Sequence, residues 1–494
     1  MFSFGKIGLA AGVVLLAATG CETVDRARVA QRSVASVTND VQTVSTNAPA
    51  HVNLVGLRLV DYVAWAMDHR PSIESAHLAV SNAVLELTRV ASERELHVDL
   101  SGGYSQSSLN TGSHFSWRQH RGKGTADISI DLLIYDFGRI DAQERRAREN
   151  LVAAQRDLAD EEFAVFQDVS QAYFTLLRND ALLEVARTNE FQYAEHRRQA
   201  ESLFAEGEVK KLDVLKARVD LSDARLATIN ASNDVVTAGA EFIRSLGLSS
   251  DRATRNDVLK AAKNALETMK SDLTPTTYGA VDALALARTN APALKVLRAK
   301  LRAASAEVDY AIADLMPSIS LSSAFSFADP TWNWSWGFRA IQTLLDGYRK
   351  RTAVDQAVVA MEQARVAVAE AEQRLSHDLA VAAANRDNAR ESLATAKIEV
   401  DQARENLETV IQQYKLGDAS RIDFTDAAGG FASALGARVK AFYAGEVAEA
   451  ELIRLTGTAP EKKGAKKDSE VKKGSASEQR KTGTYREVND DQMD

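Results

Sequence analysis

The 494-residue chain is poor in the residues that build metal and covalent centres. Its one cysteine, Cys21, excludes an internal disulfide, a multi-thiolate zinc site and an iron–sulfur cluster. Eight histidines are scattered from His51 to His377, with only His114 and His120 close together, which argues against a histidine-rich metal site. Positive charge is not in excess: 60 basic against 68 acidic residues leave −8, so no broad basic field awaits nucleic acid. Gly-rich phosphate loops, paired-histidine zinc helices and nucleophile elbows are missing, so neither an enzyme nor a cofactor is expected. Proline is the most telling scarcity. None of the seven falls between Pro71 and Pro275 or between Pro330 and Pro460, which predicts long unbroken helices.

What is present begins with an address. Lys6 precedes an apolar run, Ile7 to Ala18, too short for a bilayer span of about 20 residues but suited to a signal-peptide core. Ala18, Thr19 and Gly20 lead into Cys21, which resembles the lipobox of bacterial lipoproteins and implies removal of residues 1–20 and acylation of the Cys21 thiol. Residues 21–50 read as a polar flexible tether. Residues 459–494, with Lys462-Lys463, Lys466-Lys467 and Lys472-Lys473 among Gly, Ser and Glu, read as a disordered charged tail. No later segment approaches 18 continuous apolar residues, so further membrane contact falls to an amphipathic helix or to strands.

Most of the rest is written twice. Phe204, Gly207, Asp213 and Ala217 recur as Tyr414, Gly417, Asp423 and Ala427 at an offset of 210, and Asp136-Phe-Gly-Arg139 recurs as Asp346-Gly-Tyr-Arg349. Upstream, Asp61, Pro71 and Leu100 match Asp282, Pro292 and Leu321 at an offset of 221. The eleven extra residues belong between Leu100 and Asp136, where Ser107 to His114 reads as an extended loop. The first copy takes residues 51–248 and the second 292–458, with a linking segment of shorter helices at 249–291.

Each copy carries a pair of alternating strands, at about 97–107 and 124–135, and at about 316–327 and 332–345. Val98, Leu100, Gly102 and Tyr104 share one face, followed by Ala126, Ile128, Ile130 and Leu132; Asp99, Ser101, Asp127, Ser129 and Asp131 take the other. In the second pair Ile319, Leu321, Phe325 and Phe327 join Trp332, Trp334, Trp336 and Phe338, against Ser318, Ser320, Ser322, Asn333 and Arg339. A half-buried soluble sheet has the same period. Segments of about ten residues, aromatic on one face and polar on the other, also fit a transmembrane barrel with a wet interior, Trp332, Trp334, Trp336 and Phe338 then facing lipid. Four strands cannot close in lipid, so copies must combine: two give eight strands, three give twelve, and the polar inward residues favour twelve.

Helices from about Arg139 to Phe204 and Arg349 to Tyr414 would each be roughly 100 Å long at 1.5 Å per residue. After the Gly207 turn, Leu212, Leu215, Val219, Ser222, Leu226, Ile229, Asn233, Val236, Ala240 and Ile243 alternate at spacings of three and four, a coiled-coil seam. Val381 to Ala384 and Ala364 to Ala369 supply small side chains for close helix approach.

Export signal, lipobox, duplication, amphipathic strand pairs and the aromatic-x-x-Gly turn followed by Asp and Ala together resemble the TolC family of outer membrane efflux proteins, over roughly Leu57 to Gly457. The resemblance implies an α+β membrane protein: a homotrimer whose strands form a 12-stranded β-barrel in the outer membrane and whose long antiparallel helices form a periplasmic α-barrel. It implies a periplasmic adaptor protein and an inner-membrane transporter as partners, outer membrane lipid around the strands, and an exit duct for a tripartite efflux or type I secretion system. By the same resemblance, Gly207, Tyr414 and Gly417 mark the tip that docks the adaptor, and Asp213, Asp423 and Asp426 the periplasmic gate. An arginine that pins the closed state in some members would fall at Ala419, with Arg421 close by. The alternatives are a periplasmic coiled-coil adaptor and a scaffold lipoprotein without a pore.

Overall fold

The computed structural model describes residues 58–107, 121–248, 280–328, 331–416 and 418–458. The signal segment, Cys21, the tether, the Ser108 to His114 stretch, Trp117, residues 249–279, Gly417 and the charged tail lie outside the described residues. In chain order the elements are α1 (Leu59–His69), α2 (Pro71–Ser92), β1 (His97–Ser107), β2 (Arg121–Tyr135), α3 (Arg139–Glu206), α4 (Lys211–Ser245), α5 (Ala280–Asn290), α6 (Pro292–Ala313), β3 (Ser318–Ala328), β4 (Thr331–Ile341), α7 (Arg349–Lys415) and α8 (Arg421–Thr456). With no internal proline, α3 runs for 68 residues and α7 for 67. Among the described residues no helix is long and apolar enough to cross a membrane.

The contacts divide the chain into two compact units. One gathers Met1–Pro71, Asp168–Met269 and Glu399–Val439; the other gathers Ser72–Gln167, Lys270–Ile398 and Lys440–Asp494.

The second unit holds the sheet, an antiparallel meander in the order β1-β2-β3-β4. Its register keeps like with like: Val98 faces Ile130 and Leu100 faces Ile128, then Ile128 faces Phe325, Phe325 faces Trp334, and Leu321 faces Phe338. Opposed residues share a face, so one face is apolar across all four strands, while Asp99 opposite Ser129, Asp131 opposite Ser322 and Ser320 opposite Arg339 make the other polar. The ladder β2–β3 joins the two copies of the repeat. Strand β4 stops at Ile341, short of the expected 345, because β3 begins at Ser318 opposite Ile341 and offers nothing further to pair with. Leu344 and Leu345 are consequently 90% and 91% exposed.

Both strand-to-helix turns have the same backbone. Asp136 accepts the Ile140 amide at 2.7 Å, and Asp346 accepts the Lys350 amide at 3.0 Å. Two consecutive residues then take positive φ, Phe137 (56°) and Gly138 (83°) in the first copy, Gly347 (66°) and Tyr348 (67°) in the second. The inverted order Phe-Gly and Gly-Tyr is explained: either position tolerates the glycine, and each turn leaves one aromatic residue in the left-handed region. Below the turns, α3 is stitched to α6 by Arg145–Asp309 (3.0 Å), Arg302–Glu149 (2.7 Å) and Arg146–Glu307, half-exposed pairs worth at most about 1 kcal/mol each. Ala283, Ala287, Leu379, Ala382 and Leu452 pack α5, α7 and α8 together.

In the first unit Tyr62, Tyr173 and Phe242 pack α1, α3 and α4 at ring separations of 5.1–5.8 Å. Here the seam residues differ from those expected. The α4 residues buried within the chain are Val214, Ala217, Leu221, Ala224, Val235, Ala238, Gly239, Phe242, Ile243 and Ser245. Of the predicted seam only Ile243 is fully buried, whereas Leu212, Leu215, Val219, Leu226, Ile229 and Val236 remain 39–59% exposed. The alanine-rich row permits the closer approach to α3 and wins the intrachain contact, leaving α4 with a second, uncovered apolar stripe.

Candidate functional site

The candidate site is the end of the first unit where α3 turns into α4 and α7 into α8. Gly207 ends α3 at φ 83°, its amide bonded to Phe204 O (3.1 Å) and the Glu208 amide to Leu203 O (2.9 Å), the double closure of a Schellman turn. At an offset of 210 the Asp418 amide bonds to Gln413 O at the same 2.9 Å. Among the described residues nothing lies within 4 Å of a Cβ built on Gly207, so the turn is open to a partner.

Helix α8 opens with a capping box. The Ser420 amide donates to Asp423 Oδ2 at 2.8 Å and the Asp423 amide to Ser420 Oγ at 3.3 Å. Hydrogen bonding to the carboxylate from the Ser420 side chain, and then from its backbone, holds the Asp423 carboxyl below its usual pKa. Asp423 therefore has a structural role at the helix start as well as an exposed carboxylate. Asp426, one turn on, is exposed on the same side of α8, and Asp213 is half-buried at the start of α4.

Beneath the turns lies a ring cluster. Phe424 stacks on His196 at 4.2 Å and 10°, Tyr414 tilts against His196 at 4.8 Å, and Tyr193 meets Phe424 edge-on at 6.1 Å. Tyr414, expected at the docking surface, is only 6% exposed: it props the turn from below. Burial and the Asp213 charge raise its pKa; burial, Asp220 and Asp426 do the same for Tyr193. Arg421 Nη1 reaches Asp220 Oδ2 at 2.7 Å, pinning α8 to α4 with both side chains about one-fifth exposed. The predicted acidic residues thus gather around one cluster, while Gly417 lies outside the described residues. Tyr193, His196 and Asp220 escaped the sequence reading. Their counterparts at an offset of 210 are Ala403, Asn406 and Gly430, so the available signal was a difference between the copies.

Residues 64–248 and 283–458 match the family described as outer membrane efflux protein. The chain belongs to that family. Proteins of solved structure share its fold: the outer membrane channel CmeC of Campylobacter jejuni at TM-score 0.71 and 16% identity, covering 83% of this chain and 88% of that one, and the outer membrane protein VceC of Vibrio cholerae at 0.69 and 16%, covering 81% and 96%. The open state of MtrE from Neisseria gonorrhoeae superposes at 0.61 with 16% identity, covering 81% and 89%. No curated relative matches the sequence. As an outer membrane efflux protein, the chain presents two candidate working surfaces, the apolar sheet face and the turn end of its helices.

Proposed function

We propose that three copies of this outer membrane efflux protein close into one duct, with a 12-stranded barrel in the outer membrane and an α-barrel in the periplasm, and with no catalytic role. The observation that carries the reading is the sheet: a face apolar across four strands, with unpaired edges at both β1 and β4. Trp332, Trp334, Trp336 and Phe338 then face lipid, and the serine hydroxyl on that face, Ser323 Oγ, accepts from Trp334 Nε1 at 3.0 Å.

The duplication supplies the contact between copies. Within the chain β2 pairs with β3, Ile128 opposite Phe325 and Tyr135 opposite Ile319. Carrying the offsets forward pairs β4 with β1 of a second copy, Phe338 opposite Tyr104 and Leu345 opposite Val98, which would extend β4 to 345. In the first unit, a Cβ on Gly436 of α8 would touch Leu182 Cδ2 at 3.7 Å. Its counterpart on α4 is Leu226, in the uncovered stripe, which a helix of the next copy would cover.

Cys21, acylated, gives a second anchor. The turns at Gly207 and Gly417 dock a periplasmic adaptor that joins the duct to an inner-membrane transporter. Asp423 and Asp426 of three copies form the gate, with Asp213 beside it. At about 6 Å each like-charged pair costs roughly 0.7 kcal/mol in water and nearer 3 kcal/mol at an effective dielectric of 20, so the ring attracts multivalent cations. The Ser420 cap keeps Asp423 ionised against that repulsion. Cysteines at Phe338 and Tyr104 test the closure: oxidation should produce covalent trimers from membranes, and the purified protein should conduct in planar bilayers. Monomers only, with no conductance, would leave an adaptor or scaffold lipoprotein.

A further inference from the structure

His196 is buried at 1% exposure on α3, and among the described residues neither ring nitrogen has a hydrogen-bond partner. Its faces are taken by carbon, Phe424 of α8 on one side and Tyr414 of α7 against the other rings. A neutral imidazole tolerates that sandwich as an aromatic disc. An imidazolium would bring a charge and a second N–H into a place with no acceptor. We propose that His196 is a proton-operated wedge that seats the first turns of α8 on α3 near neutrality and releases them in mild acid. The identity of what is gated rests on the duct reading; the release itself does not.

The surrounding charges do not rescue the protonated ring. From α4, Asp220 favours it; from α8, Arg421 opposes it, and the two are paired with each other at 2.7 Å. Tyr414 of α7, with Asp213 of α4 acting on it, and Tyr193 of α3, facing Asp426 of α8, are themselves pushed further from ionisation, chiefly by burial. Burial first, then Arg421, lowers the His196 pKa from 6.5 to about 4, against the pull of Asp220. A released ring would titrate near 6.5. The seated state therefore holds its full advantage above pH 6.5 and loses about tenfold per pH unit below it, until about pH 4.

The test is hydrogen exchange by mass spectrometry on the full-length protein in detergent, corrected for the intrinsic pH dependence of exchange. Between pH 7.5 and 5.5, peptides spanning Ile422 to Phe431 should lose about tenfold in protection in the parent and none in His196→Phe, which keeps a stacked ring without a titrating group. Equal loss in the variant, or no loss in the parent, overturns the proposal. Should the variant fail to fold, the parent alone decides: loss beginning near pH 6.5 supports the wedge, whereas loss beginning only below about pH 4.5 assigns it to carboxylates and sinks it. Bilayer conductance on the same samples separates the two readings: protection lost in acid with unchanged conductance leaves the wedge standing and removes the gate from the tip.

Discussion

Gly247 and Gly457, one in each copy of the repeat, end the last helix of that copy at φ 77° and 63°, and each lies against the carbonyl that closes an earlier short helix. A Cβ would sit 3.2 Å from His69 O in the first copy and 2.8 Å from Asn290 O in the second. Around the tip the copies part company. The second turn is backed by Tyr414, Phe424 and Arg421, whose counterparts at an offset of 210 are Phe204, Val214 and Lys211, and Phe204 is exposed. Geometry that places helices is held twice, whereas the rings and the ion pair that fasten one helix to others are held once. The two halves have kept a common frame and divided the work at the tip.

The sharpest way to break the frame is Gly457→Ala, which combines a left-handed backbone with a carbonyl clash and should cost about 3 kcal/mol, against about 2 kcal/mol for Gly247→Ala. Thermal denaturation of the detergent-solubilised protein measures both; equal and negligible shifts would show that the close approaches are not needed. Next comes the asymmetry. A double-mutant cycle on Arg421→Ala and Asp220→Ala should return a coupling of about 1–2 kcal/mol, while Lys211→Ala, the first-copy counterpart, should stay within about 0.5 kcal/mol of the parent. A comparable loss at Lys211 would erase the distinction between the two turns.

Replacing Asp423 and Asp426 with alanine should raise the trivalent-cation concentration needed to block the pore by about tenfold or more. Unchanged block places the constriction elsewhere. Because the Ser420 bonds lower the Asp423 pKa, the cap's contribution is present above about pH 4 and disappears as pH falls through the lowered value, below the acid range in which His196 acts. The smallest effect belongs to the strand-to-helix turns. Tyr348→Gly relieves a left-handed aromatic residue but frees the unfolded chain and loses the Arg351 guanidinium 5.9 Å over the ring, so stability should change by less than about 1 kcal/mol. A larger loss would mean that the ring at 348 has a packing duty its 70% exposure conceals.

Periodicity made the strands legible, since a two-residue repeat with Trp332, Trp334 and Trp336 on one side fixes which residues share a face. The offset of 210 exposed the two glycine turns. Periodicity was silent on which of two apolar rows on α4 faces α3, because Ala217 and Ala224 add little hydrophobic signal yet decide how closely helices approach. It also could not find His196, whose role arises from Phe424 lying more than 200 positions away and brought alongside only by folding. Gly247 and Gly457 fit the offset too, but their necessity comes from backbone oxygens that leave no trace in side-chain pattern.

The sheet also implies an order of events. Strands β3 and β4 are separated by two residues and can zip as soon as they are made, whereas β2 must find β3 across a closed loop of roughly 190 residues. Closing that loop costs about 4 kcal/mol more entropy than closing the two-residue hairpin, on a three-halves RT ln n scale. The central ladder is therefore the late, slow step of assembly, and until it forms each half of the chain displays an adhesive apolar hairpin that has to be kept from its neighbours.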